Sequence, residues 1–200
     1  IHALWSLFIQ NSYNNSNRTV YNYVKENTMI ERFGLIKFAG QDATIIGPDL
    51  VPGDIAPEFT ATTQNWTREA VLAASNGKIR IIAAIPSLNT SVCDRETRRF
   101  NQESASLSKD ISIIVISTDL PFAQKQWCGG AGIDQVIVVS DHYDVDFGTQ
   151  YGCLIKEARV LRRAVFVVDR NNHITYSAYM PALGDEPDYA RVLQEAQKLL

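Results

Sequence analysis

The chain has 200 residues, 46% of them apolar and 20% charged, which is ordinary globular usage with room for one domain and a sizeable core. A net charge of −3 carries no basic excess of the kind that marks a nucleic-acid binder, and no apolar run approaches the roughly 20 residues that span a bilayer. Three cysteines, Cys93, Cys128 and Cys153, are too few for a disulfide scaffold, and without a C-x-x-C pair or closely spaced histidines a zinc site has no obvious ligands.

Residues 1–27 read differently from the rest. The tract at 11–17 is Asn/Ser-rich and cannot bury a core. Ile1 to Ile9 is apolar, but no basic region precedes it and no clear small-residue cleavage site follows, so a secretory leader is the minor reading. We expect 1–27 to be a flexible extension and 28–200 to be the functional domain. Thr28–Ile46, punctuated by Gly34 and Gly40, opens that domain with a small hairpin. Four β-branched runs follow: Ile79–Ile85, Ile111–Ser117, Val136–Val139 and Ala164–Val168. Near-continuous apolar runs suit strands covered on both faces. Val92–Leu107 reads as a helix with Asp94 and Glu96 near its start, where carboxylates complement the dipole. The turn at 169–172 folds His173–Tyr179 back on Ala164–Val168. A last helix begins at Pro187 and presents Tyr189, Val192, Leu193, Ala196 and Leu200 on one face. Strands alternating with helices give an α/β layered domain with a mixed sheet.

The richest stretch is Pro86-Ser87-Leu88-Asn89-Thr90-Ser91-Val92-Cys93. It runs from a buried strand through a Pro-containing loop and places Cys93 in the first turn of a helix. An ordinary thiol is only a few per cent thiolate at neutral pH, and free N–H groups at a helix start favour the anion. Thr90 lies three residues upstream, where its hydroxyl shares the pocket, and the Pro86 ring is placed to exclude water. Taken alone, a cysteine early in a helix is more often buried packing than a nucleophile, and these residues by themselves leave both readings open.

The pattern P-x-x-x-T-x-x-C resembles the active-site motif of the peroxiredoxins. More narrowly, Ser117-Thr118-Asp119-Leu120-Pro121-Phe122-Ala123-Gln124, followed by Trp127-Cys128-Gly129, resembles their bacterial thiol peroxidase subfamily, of the atypical two-cysteine type. Arg98-Arg99-Phe100-Asn101, Tyr151-Gly152, Arg163-Ala164-Val165 and Glu186-Pro187-Asp188-Tyr189 continue the similarity, in order, over about 28–200. The resemblance implies a thioredoxin-like fold, a mixed sheet flanked by helices with an N-terminal β-hairpin. It implies Cys93 as the peroxidatic thiolate, Thr90 and Arg163 as the groups that orient peroxide and stabilise charge, and Pro86 as a wall of the substrate pocket. Cys128 is then the resolving cysteine, which condenses with the Cys93 sulfenic acid to an intramolecular disulfide recycled by thioredoxin.

Such a disulfide needs Cα atoms within about 7 Å, which Cys93 at a helix start and Cys128 in a separate loop would not meet while both are fully packed. The first turn around Cys93, or the segment around Cys128, should therefore unwind, and Gly129, Gly130 and Gly132 make that inexpensive. Gly129, Gly130 and Gly132 do not form a phosphate-binding fingerprint. Arg162 and Arg163, read as neighbours on one strand, should face opposite ways, and a surface position is the usual fate of either. Cys153 reads as a small buried hydrophobe, and neither His142 nor His173 is given a metal or proton-relay role. No cofactor or metal is expected. The resemblance further implies a homodimer, with hydrogen peroxide or alkyl hydroperoxides as substrate in antioxidant defence, and the lack of a clear leader signal makes the cytoplasm the expected location. A general thiol–disulfide oxidoreductase competes poorly without C-x-x-C. A redox-signalling switch that recruits a partner would use the same cysteine chemistry.

Overall fold

The computed structural model describes residues 29–200, so the extension 1–27 and its expected flexibility lie outside the described residues. The chain enters through β1 (Glu31–Phe38) and β2 (Gln41–Ile46), an antiparallel hairpin in which Glu31 faces Ile46 and Phe38 faces Gln41. Its turn is made by Ala39 and Gly40, both with positive φ (49° and 81°). A reversal this tight needs the left-handed region, which is why glycine stands there.

The remaining elements, in chain order, are β3 (Thr60–Thr63), β4 (Arg68–Ala70), α1 (Val71–Ala74), β5 (Ile79–Ala84), α2 (Ser91–Ser104), β6 (Ile111–Ser117), α3 (Pro121–Ala131), β7 (Ile137–Ser140), α4 (Asp146–Gln150), β8 (Leu154–Ile155), β9 (Val160–Leu161), β10 (Ala164–Val168), β11 (Ile174–Tyr179) and α5 (Tyr189–Gln197). Seven strands form the main sheet in the order β11-β10-β5-β6-β7-β3-β4. Within it β5, β6 and β7 are parallel, Ile81 facing Ile113 and Ile116 facing Val139, while β10 runs antiparallel to β5 with Phe166 opposite Ile82. The hairpin joins β8 and β9 in a smaller sheet.

The period of two along β5, β6 and β10 divides their side chains between two cores. Ile82, Ala84, Ile114, Ile116, Phe166 and Val168 face Phe59, Phe147 and Tyr151. On that side Phe147 stacks on Tyr151 (4.4 Å between centroids) and Phe166 meets Tyr151 edge-on. Ile79, Ile81, Ala83, Ile113, Val115, Val165 and Val167 face the other way, against Phe100 of α2 and Val192 and Ala196 of α5. Cys93 and Cys128 both belong to this second core. One layer thus carries both thiols of interest.

The α/β thioredoxin-like architecture agrees with the sequence reading, and so do both hairpins, with Ala164 paired to Tyr179. Four local expectations are corrected. Cys128 is not in a loop but in α3, whose Pro121 takes a first-turn position and whose end is the left-handed Gly132. Arg162 and Arg163 are not on a strand; they form the break between β9 and β10, and both are buried. Pro187 precedes α5, whose cap is Asp188, its carboxylate accepting from the Arg191 N–H. Leu200 is exposed, and Leu199 packs on the core in its place.

Candidate active site

β5 ends at Ala84, and the chain passes through Ile85 and the buried Pro86 into α2. Asp119, in the bend between β6 and α3, shapes that loop. Its carboxylate accepts from the Ser87 hydroxyl (2.7 Å), the Leu88 N–H (2.8 Å) and the Ser117 hydroxyl (2.9 Å). Gln124 donates to Ser117 Oγ and to the Val139 carbonyl, fixing the start of α3 on the sheet. The Ser117-to-Gln124 motif therefore acts as a frame that holds the Cys93 loop and α3 in register.

Thr90 is the N-cap of α2, yet its side chain caps no N–H. Its hydroxyl instead lies 2.9 Å from Cys93 Sγ and donates 3.1 Å to the Ser87 carbonyl. Cys93, three residues into the helix, is fully buried, while Thr90 beside it is exposed. Arg163, brought from the β9–β10 break, places its guanidinium 3.2 Å from Sγ and donates to the Leu183 carbonyl at 3.1 Å. Its other terminal nitrogen pairs with Glu96, which is also fully buried. Thr90, Cys93 and Arg163 are brought together as the motifs imply, and Pro86 lies buried in the loop before them.

Glu96 is one of the residues that the sequence reading misassigned. Placed one helical turn after Cys93, it shares that residue's face instead of serving the helix dipole in solvent. Burial pushes its carboxyl up to about 7, and the adjacent Arg163 opposes the rise. Burial alone would also favour neutral Arg163; the Glu96 carboxylate and the Cys93 sulfur outweigh it and hold the guanidinium charged. A charged, forked donor beside a buried sulfur is placed to meet negative charge that develops there.

Cys128 sits on α3, nearly buried, with the Gln64 side-chain amide donating to its sulfur at 3.4 Å. Burial raises this thiol, and the Gln64 bond lowers it in part. Trp127 packs beside it, covered by the Arg98 guanidinium at 5.5 Å, and Arg98 also donates to the Ala131 carbonyl at the end of α3. A shallow groove lined by Asn89, Thr90, Asp94, Arg95 and Trp127 runs between the two cysteine-bearing helices. All three cysteines are free thiols.

Arg162 points away from this site, as expected, but not into solvent. It pairs with Asp49, donates to the Gly152 carbonyl and lies over Tyr179 at 4.0 Å. Cys153 is fully buried nearby, its thiol pushed up to about 12 by burial. No helix among the described residues is long and apolar enough to cross a membrane.

Comparison with known proteins agrees with this geometry. The family model described as "AhpC/TSA family" matches residues 52–177. The thiol peroxidase of Bacillus subtilis (strain 168) is 46% identical over 165 residues, 82% of this chain and 98% of its own length. The thiol peroxidase of Oceanobacillus iheyensis is 44% identical over 163 residues, with the same coverage of both chains. Among solved structures, a peroxiredoxin-like protein from Aquifex aeolicus superposes with a TM-score of 0.75 at 32% identity, covering 86% of this chain and 99% of that one. A thiol peroxidase from Chromobacterium violaceum, 22% identical, shares the fold with a TM-score of 0.70 over 82% of this chain and 98% of its own. A buried cysteine held by a threonine hydroxyl and an arginine, on a chain this similar to those relatives, leads to one conclusion: the chain belongs to the AhpC/TSA family of peroxiredoxins, on its bacterial thiol peroxidase branch.

Proposed function

We propose that the chain reduces hydrogen peroxide and alkyl hydroperoxides through Cys93, and that Cys128 then captures the oxidised cysteine in an intramolecular disulfide recycled by thioredoxin. The observation that carries this reading is the Cys93 sulfur held between Thr90 Oγ1 at 2.9 Å and the Arg163 guanidinium at 3.2 Å. The thiolate attacks the distal peroxide oxygen; an S–O bond forms, the O–O bond breaks, and the alkoxide leaves and takes up a proton. Thr90 orients the incoming O–O bond, Pro86 keeps water from the pocket, and Arg163 meets the negative charge that develops on the departing oxygen. Cysteine sulfenic acid is the product.

Cys128 supplies the second thiol from the same core layer. The compartment that suits a chain cycling between dithiol and disulfide is the cytoplasm, where thiols are kept reduced. The catalytic unit is read as 28–200, with 1–27 outside it. A homodimer is supported by an exposed aromatic cluster: Trp66 and Phe122 lie 4.7 Å apart between centroids, His142 is edge-on to Trp66, and Tyr143 follows it. Trp66, Phe122 and Tyr143 are 45%, 68% and 65% exposed, which marks an interaction surface.

The test is a coupled assay with thioredoxin, thioredoxin reductase and NADPH against several hydroperoxides. Wild type should turn over many peroxides per chain. Cys93→Ser should consume none, and Cys128→Ser should reduce one peroxide per chain without efficient recycling. Equal activity of wild type and Cys93→Ser would end this reading. Disulfide formation without turnover would favour a signalling switch instead.

A further inference from the structure

Cys128 has one side-chain hydrogen-bond partner among the described residues, the Gln64 amide. Gln64 is 64 positions away, in the turn between β3 and β4, and is half-buried. That turn is itself held firmly. Trp66, at φ +63°, donates its N–H to the Thr63 carbonyl; the Thr63 N–H donates to the Thr67 carbonyl; Lys125 of α3 reaches Asn65 Oδ1. A donor is thus delivered to the sulfur from an element that belongs to neither cysteine-bearing helix. Charged and titratable groups on the surrounding elements have partners of their own: Arg98 with Asp94, Lys125 with Asn65 and His142 with Ser140. The amide is the polar group left to act on this sulfur.

Resting on the reading of Cys128 as the resolving cysteine, we infer that Gln64 is a positioning residue for that step, its amide N–H holding the Cys128 sulfur and favouring its thiolate for attack on the Cys93 sulfenic acid. In that step the Cys128 sulfur bonds to Cys93 Sγ, the S–O bond of the sulfenic acid breaks, and hydroxide leaves. The proton that Cys128 gave up converts the hydroxide to water, so no further oxidant or reductant enters. An N–H donor stabilises the anionic sulfur more than the neutral thiol, and so offsets the effect of burial on this group. Gln64 does not touch the peroxide and should have no part in the first chemical step.

Single-turnover mixing of the full chain with one equivalent of hydrogen peroxide separates the two steps. The first is followed by loss of peroxide, the second by thiol alkylation and mass measurement of the Cys93–Cys128 disulfide. Gln64→Leu removes the donor from a half-buried turn and should leave the first step unchanged. It should slow disulfide formation about fivefold at neutral pH and move the midpoint of that step's pH profile upward. Gln64→Glu sets an acceptor and a negative charge beside the sulfur and should move the midpoint further in the same direction. Wild-type rate and midpoint in both variants would overturn the assignment, as would equal slowing of both steps with no shift in midpoint, which is the mark of a structural role. If wild type itself forms no Cys93–Cys128 disulfide, the resolving role of Cys128 falls first. If the disulfide forms but is indifferent to residue 64, only the role of Gln64 falls.

Discussion

Arg163 does two jobs with one guanidinium. One terminal nitrogen serves Cys93 and the Leu183 carbonyl, and the other serves Glu96. Lysine would keep the charge but could not span these partners from a single ammonium. Removing a preorganised donor from a developing anion costs about 10²–10³ in rate. Arg163→Met should therefore slow the second-order reaction with peroxide by about that factor, with Arg163→Lys between it and wild type, measured by competition against a reference peroxidase. The complication is folding, because Arg163→Met leaves Glu96 buried and unpaired at about 3–5 kcal/mol. The double change Arg163→Met with Glu96→Leu removes both charges. It should recover thermal stability without recovering the rate. A rate within about threefold of wild type in the double variant would show that the cation contributes little to the chemistry.

At the scale of elements, the two thiol-bearing helices are weak where the proposed disulfide would need them to open. The first turn of α2 has no side-chain cap because the Thr90 hydroxyl is engaged with Cys93 and Ser87. The end of α3 contains Gly129 and Gly130, each costing about 1 kcal/mol relative to alanine in a helix. Against this stand the Arg98 bond to the Ala131 carbonyl and the Asn101 side chain, which accepts from the Asp134 and Gln135 N–H groups. Amide exchange should be slow over 90–95 and 126–132 in the dithiol and faster in at least one of these segments in the disulfide, with β6 unchanged as an internal reference. Identical protection of both redox forms in both segments would show that the disulfide closes without unwinding. The helix α3 also shows where local pattern stops being informative. Its apolar residues do not line one face, Phe122 points outward, and two glycines sit near its end. What makes it helical is Pro121 at the start and Gln124 reaching the Val139 carbonyl, a contact across 15 positions. By contrast β5, β6 and β10 were legible because burial on both faces demands an unbroken β-branched run. Glu96 and Arg162 were misread for a single reason: a charge is expected in water unless its partner is known. Those partners, Arg163 and Asp49, lie 67 and 113 positions away. Thr90, Cys93 and Arg163 were legible only through the motif they share with the family, since spacing alone left Cys93 open.

At the scale of the whole molecule, three exposed aromatic side chains among the described residues, Trp66, Phe122 and Tyr143, gather on the β3–β4 turn, the start of α3 and the loop after β7, while the exposed Phe33 stands apart from them on β1. Arg68 lies over Tyr143 at 4.5 Å and pairs with Asp144, so the cluster is flanked by a neutralised ion pair instead of a free charge. A patch of this kind is costly to leave in water, and a two-fold axis through it would bury each aromatic against its counterpart or a near neighbour. The same symmetry gives a sensitive test. One glutamate introduced per chain appears twice in an isologous interface, so a single substitution sets two like charges in a desolvated contact. Phe122 is the better site, because Trp66 shares its turn with Gln64. Phe122→Glu should convert the full chain from dimer to monomer by analytical ultracentrifugation at micromolar concentration. Its circular dichroism and its rate of first reaction with peroxide should be unchanged, since Phe122 is exposed and makes no contact with Cys93, Thr90 or Arg163 through hydrogen bonds or ion pairs. A wild-type chain that sediments as a monomer up to high micromolar concentration would show that the aromatic cluster serves some partner other than a second copy. A Phe122→Glu dimer as tight as wild type would place the dimer contact on another face.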